Sequence, residues 1–244
     1  MPILAGFWRL VWVETKVFLR EPMGVIGTLL GPVVIFVVLG RSLGTGAAPG
    51  EQGLFNVPVL AALLIAISTV ISLVAIMAIY REGGILKRLR ATPLSPLTIL
   101  SAHVFIKLAS TVISLGLMVL AGRRYFSGEM DVDLLVFGAA LLVSTLSILT
   151  VGFVVAGMVT TARFVQPVSA LVFYPMIAVS GLFFPVERLS WPLSAVAQAL
   201  PTTHAVTLMQ GVWDGVGWNW GSTGALLAIA AVGAGVAARV FRWE

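Results

Sequence analysis

A chain of 244 residues that is 59% hydrophobic and only 10% charged, with a mean hydropathy of +1.05, lies outside the range of water-soluble domains and reads as an integral membrane protein. The net charge of +5 reflects membrane topology and contact with anionic lipid rather than nucleic-acid binding, because no soluble basic face exists to follow a phosphate backbone. The absence of cysteine excludes disulfides and thiolate metal sites.

The first element is amphipathic. In "FWRLVWVETKVFLREP", Phe7, Leu10, Val11, Val17 and Phe18 share one helical face, while Arg9, Lys16 and Arg20 take another. This predicts a helix over residues 5–21 lying in the membrane interface and stopped at Glu21-Pro22. The run does not resemble a cleavable signal peptide, because it carries acidic as well as basic residues and its apolar stretch starts late.

Six apolar runs follow, each near the 20 residues needed to cross about 30 Å of hydrocarbon. They cover residues 23–43, 57–80, 97–121, 133–159, 164–184 and 219–240. The first contains Gly27-x-x-x-Gly31, a small-residue face that permits close helix approach. The second carries no charge and measures about 36 Å as a helix. The third carries a polar stripe of His103, Lys107, Ser110, Thr111 and Ser114. An ammonium near mid-bilayer costs about 2.5–3.5 kcal/mol, so it faces protein or water. Either the stripe lines a pathway or reads an anionic headgroup, or the span begins later and Lys107 snorkels to the inner headgroups. Asp131 and Asp133 mark the end of the second outer loop.

Between the fifth and sixth runs, two helix-like pieces, 191–200 and 202–213, are separated by Pro201 and are each too short to cross. They form either a hairpin dipping into the outer leaflet, residues 185–215, or a lid on the outer surface. His204 within it reads as a hydrogen-bonding turn residue. Glu187 and Arg188 keep its mouth at the water boundary.

An even number of spans puts both termini on one side. With that side cytoplasmic, ten of the fifteen basic residues lie inside: Arg9, Lys16, Arg20, Arg81, Lys87, Arg88, Arg90, Arg163, Arg239 and Arg242. The segment "REGGILKRLRATPLSPLTIL", residues 81–100, is then cytoplasmic. Ile85, Leu86 and Leu89 form an apolar edge on a short helix, residues 81–92, ended by Thr92-Pro93. Ser95-Pro96 restarts the chain as an N-cap and first helical residue. A three-turn helix is marginal alone, so its edge rests on either the membrane interface or a groove of a cytoplasmic partner.

No catalytic constellation is visible. Apart from Asp133 at the very edge of the fourth run, the spans hold no carboxylate, and they hold no nucleophile–base pair or G-x-S-x-G, which argues against an intramembrane hydrolase or a proton-driven carrier. None of the three lysines, Lys16, Lys87 and Lys107, sits in the G-x-x-x-x-G-K-[ST] loop that surrounds nucleotide phosphates.

The pattern E-G-x-x-L-K-R-L-R-A-T-P-L-S at Glu82 to Ser95 resembles the cytoplasmic loop of ABC-2 type permeases, the membrane subunits of ATP-driven bacterial exporters. "SGLFFPVERL" at Ser180 to Leu189 and "LPTTHAV" at Leu200 to Val206 look like that family's re-entrant pair. The resemblance covers essentially the whole chain. It implies an all-α integral membrane protein forming one domain, 1–244: six transmembrane helices, an N-terminal interfacial helix, a cytoplasmic coupling helix and an extracellular re-entrant helical hairpin. It implies a coupling helix seated in a separate ABC ATPase subunit through Glu82, Gly83, Ile85, Leu86, Lys87, Arg88 and Leu89. It further implies a second permease chain, identical or related, with Gly27 and Gly31 at the packing face, and a gate formed by Phe183, Phe184, Pro185, Glu187, Pro201 and His204.

On this reading the chain binds no cofactor or metal. ATP and Mg belong to the partner ATPase, and transport moves an amphiphile (a drug-like molecule, a lipid or a lipid-linked glycan) out of a bacterial or archaeal cell. Alternatives are the membrane subunit of another transporter class, such as a substrate-capture or haem-export component, or a membrane scaffold.

Overall fold

The computed structural model describes residues 2–20, 22–42, 57–84, 96–125, 132–159, 161–181 and 186–240. Every regular element among them is helical. The chain opens with α1 (Pro2–Arg20). Next come α2 (Pro22–Val25), a π-helical turn (Ile26–Leu30) and α3 (Gly31–Ser42). Pro32 explains the turn: it has no N–H and its ring crowds the carbonyl four residues back, so the helix widens and the Gly31 amide bonds to the Ile26 carbonyl instead.

α4 (Val57–Ala66), a second π-helical segment (Ile67–Leu73) and α5 (Val74–Glu82) form one post. Its widening coincides with Thr69, whose hydroxyl donates to the Ile65 carbonyl at 2.7 Å. Such back-bonding competes with the helix ladder and bends it. α6 (Pro96–Tyr125) starts with proline at its first position, where no amide is needed. α7 (Leu134–Met158) is capped by Asp133, whose carboxylate accepts from the Leu135 and Val136 amides at 2.9 and 3.3 Å. A 3-10 turn (Ala162–Phe164) leads into α8 (Val165–Ala178), which holds Pro175 and stops a few residues later. A second 3-10 turn (Val186–Arg188), α9 (Trp191–Ala199), α10 (Pro201–Trp213) and α11 (Trp220–Val240) complete the order.

Among the described residues, four helical stretches are long and apolar enough to cross a membrane: Val57–Glu82, Val104–Ala121, Leu134–Met158 and Trp220–Val240. Ala162–Ala178 is apolar but shorter. In Val57–Glu82, 67% of the most apolar window is buried inside the chain, against 17% in α11. The former is therefore the central post and the latter a peripheral helix.

The main core joins Leu60, Ile65 and Val70 of the post to Met118 of α6, Ile148 of α7, Met176 of α8, Leu208 and Met209 of α10 and Leu226 of α11. A second cluster, Leu73, Val74, Met77, Ala78, Val155, Ala156, Val159 and Val165, closes one end of the bundle. Two glycines set the spacing within it. A Cβ on Gly152 would lie 2.6 Å from the Thr69 carbonyl oxygen, and one on Gly233 would lie 2.8 Å from the Thr150 Cβ. Only glycine lets α7 sit that close to the post and α11 that close to α7.

Candidate functional site

The end of the bundle where α5 finishes gathers several polar side chains. Arg81 and Glu82 are the last residues of α5. Gly83 caps it, and Gly84 takes φ +64, a left-handed turn that favours glycine. The Tyr80 hydroxyl donates to Glu14 Oε1 of α1 at 2.8 Å. Arg81 Nη1 donates to the carbonyls of Ala156, at 3.3 Å, and Val159 where α7 ends. Glu82 Oε1 accepts from the Ala162 amide at 2.8 Å, at the turn that opens α8. The charges match the helix ends they meet: cation to the carbonyl end, carboxylate to the amide end. Of the residues assigned to coupling, Glu82 and Gly83 lie in this junction, and Ile85, Leu86, Lys87, Arg88 and Leu89 lie outside the described residues.

α1 is pinned at two points. Phe7 and Trp8 stack edge-on against Phe105 of α6, with centroids 6.0 and 5.6 Å away, and Glu14 meets Tyr80. Trp12 is exposed on its other face, with the Lys16 ammonium 5.0 Å over its ring, and Trp8 stays half-exposed beside Phe105.

The polar stripe of α6 makes contacts within the chain. Lys107 Nζ donates to Ser72 Oγ at 2.7 Å. Ser72 is ten residues before the end of the post, about 15 Å along the helix by its rise. The Ser110 hydroxyl donates to the Ile106 carbonyl, and Ser114 to the Leu29 carbonyl in the π turn before α3. Ser110, Thr111 and Ser114 are all buried. The stripe thus faces the π turn before α3 and the post of its own chain, and the His103 side chain lies outside what the structure describes.

At the opposite end, α10 is inserted into the bundle with Pro201, Thr202, Ala205, Leu208 and Met209 buried. Thr202 Oγ1 donates to the Met176 carbonyl of α8 at 2.9 Å, and Phe137 of α7 packs edge-on against Trp213. α9 lies outside it, with Trp191, Leu193 and Val196 exposed. His204 Nε2 donates to the Gln198 carbonyl at 2.8 Å, which closes the corner between the two helices. Pro201 is the first residue of α10. Phe183, Phe184 and Pro185, together with the Glu187 side chain, lie outside the described residues. Partial burial raises the Asp214 carboxyl above its ordinary range, and a hydrogen bond from Gln210 pulls it back in part.

Among the described residues no group of three His, Asp or Glu side chains converges on a metal-sized site. The family model for the ABC-2 type transporter matches residues 5–213, from α1 through α10. The chain belongs to the ABC-2 type transporter family. No curated protein matches it. An ABC-2 type membrane domain is a transporter permease subunit, generally non-catalytic, and the family typically works with an ABC ATPase subunit.

In this ABC-2 type chain, sequence reasoning missed three features. The Tyr80–Glu14 pair joins residues 66 apart, and no local pattern announces it. Arg81 reads in sequence as a topological charge. Gly152 and Gly233 make close approaches, whereas a Cβ on Gly27 would meet nothing within 4 Å, and one on Gly31 only its own helix. The signal for Gly152 was Gly152-x-x-x-Ala156, a small-residue pair on α7.

Proposed function

We propose that this chain is the transmembrane half of an ATP-driven exporter in which two permease chains work with two ATPase subunits. The observation that carries the reading is the family match across residues 5–213. In this reading six helices span the membrane, both ends of the chain face the cytoplasm, and residues 81–92 dock into the ATPase through Glu82, Gly83, Ile85, Leu86, Lys87, Arg88 and Leu89. The open faces of Gly27 and Gly31 take the second permease chain. His103, Lys107, Ser110 and Ser114 stand beside the pathway, and the hairpin around Phe183, Phe184, Pro185, Glu187, Pro201 and His204 gates release towards the outer leaflet. ATP and Mg bind the partner, and the cargo is an amphiphile.

The mechanism is mechanical. Closure of the ATPase pair around ATP displaces the docked segment, the two-chain interface opens outward, and no covalent bond forms or breaks in this chain. Reversing charge with Lys87→Glu and Arg88→Glu tests the docking. The pair should release or uncouple the ATPase while membrane insertion remains normal. A fully coupled double variant contradicts it.

A further inference from the structure

The sequence pattern on α1 assigns Phe7, Leu10, Val11, Val17 and Phe18 to one apolar face. The fold turns most of that face onto the bundle: Phe7, Leu10, Val11 and Phe18 are buried or half-buried, and only Val17 of the set is exposed. Glu14, the one acidic residue of α1, is half-buried with them and accepts from Tyr80. A different face is left outside. Arg9, Trp12, Lys16 and Arg20 are exposed, with Trp8 half-exposed at its edge, and the five fall within about a third of the circumference at 3.6 residues per turn. This face holds three cations and two indoles and no carboxylate. Trp12 and Lys16 present ring and ammonium as one unit, 5.0 Å apart.

Both pins of α1 lie at the edge of an apolar span. Tyr80 is two residues from the end of Val57–Glu82, and Phe105 is the second residue of Val104–Ala121. At 26 residues, Val57–Glu82 is about 39 Å long, more than the roughly 30 Å of hydrocarbon, so its charged end at Arg81 and Glu82 stands among headgroups. α1, fastened there by Glu14, lies at the same depth. Bulk water does not suit its free face, where Trp12 and Leu19 are each 62% exposed. Headgroup depth does, because indoles collect at that boundary and phosphates attract Lys and Arg.

We propose that Trp8, Arg9, Trp12, Lys16 and Arg20 form a binding surface for anionic phospholipid headgroups, with the cations on the phosphates and the indoles just beneath them. The missing carboxylate makes the surface selective: a zwitterionic headgroup brings its own cation against Arg9, Lys16 and Arg20, whereas an anionic one does not. The proposal needs only that the chain lies in a membrane and is independent of the exporter reading.

The test titrates the purified chain, in neutral detergent and without any partner, with phosphatidylglycerol or phosphatidylcholine and follows Tm. Phosphatidylglycerol should raise Tm and phosphatidylcholine should not, and added salt should shrink the rise, because exposed charges are screened. Arg9→Gln, Lys16→Gln and Arg20→Gln should each increase the phosphatidylglycerol needed for half the rise about fivefold, the worth of one basic residue near an anionic surface. All three positions are exposed, so Tm without lipid serves as the folding control. A second set, Arg163→Gln, Arg188→Gln and Arg239→Gln, removes the same charge from exposed positions outside α1 and should leave the half-effect amount unchanged. Equal responses to the two lipids overturn the proposal, as do equal losses in the two sets, which would mean diffuse attraction to the whole chain. Inorganic phosphate that reproduces the rise at matched ionic strength also overturns it, since the surface would then take a free anion rather than a headgroup.

Discussion

Gly152→Ala tests the packing of the bundle with a single methyl group. The new Cβ would lie 2.6 Å from the Thr69 carbonyl oxygen and 3.1 Å from its carbon. Ordinary contact begins at 3.4 Å, so α7 and the post must part by roughly 0.8 Å. Both obstructing atoms are backbone, and no rotamer change relieves them. Overpacking of this kind costs about 1–3 kcal/mol. Alanine recovers about 1 kcal/mol of helix propensity, which would blur a comparison with the wild type.

A matched control removes that term. Gly116, on α6, has nothing within 4 Å of its added Cβ, so Gly116→Ala gains the propensity without the clash. The difference between the two variants isolates the packing cost, and about 1–3 kcal/mol corresponds to roughly 2–12 °C in Tm for a chain of this length. Thermal unfolding in detergent, followed by helical circular dichroism, measures it. Gly152→Ala melting with or above Gly116→Ala would refute the close approach of α7 to the post.

Other substitutions probe single contacts. Lys107→Met and Ser72→Ala, alone and combined, should show a coupling of about 0.6 kcal/mol and no more than about 1.7, the range for hydrogen bonds between membrane helices; a coupling of zero in a double-mutant cycle contradicts the Lys107–Ser72 bond. The same Lys107→Met variant should transport less while assembling normally, and unchanged transport would remove Lys107 from the pathway. Asp133→Ala should destabilise by about 1 kcal/mol and Asp133→Asn by much less, since asparagine also caps; equal losses in chemical denaturation would count against the cap. Asp214 has its folded pKa raised by burial, so its neutral form is favoured in the folded state. Its contribution is best in acid and is lost as pH rises through the carboxylate range. Exposure screens the effect, so Asp214→Asn should gain a small thermal advantage at neutral pH that vanishes in acid; the opposite pH trend would contradict the assignment.

What the sequence conveyed depended on whether a feature was local. Long apolar runs mark the post, α7 and α11 directly, because the requirement for about 20 apolar residues is a property of each segment alone. Asp133 before Leu134 and Pro96 at the start of α6 are local signals as well, and they mark helix starts. The two π-helical stretches were not visible as such, although Pro32 and Thr69 account for them once the backbone is known. Which glycines mattered depended on which helices became neighbours: Gly27-x-x-x-Gly31 stood out as a motif, yet Gly152 and Gly233 are the ones in close contact within the chain. The position of α10 inside the bundle and α9 outside it was undetermined, because both are short apolar helices and only their packing distinguishes them. Most of the contacts at the foot of the post were invisible. Tyr80 and Glu14 are ordinary residues until α1 folds back, and Arg81 carries the same charge whether it faces headgroups or the end of α7.

The central claim is that segment 81–92 passes force from a separate ATPase into this bundle. Its most direct test is a photo-crosslinking residue in place of Arg88, activated in intact cells with the transporter working. The account predicts an adduct with a nucleotide-binding subunit that carries a phosphate-binding loop, stronger when ATP is trapped. Labelling of position 88 by a membrane-impermeant reagent from outside the cell, or a working transporter with no such adduct, would contradict it.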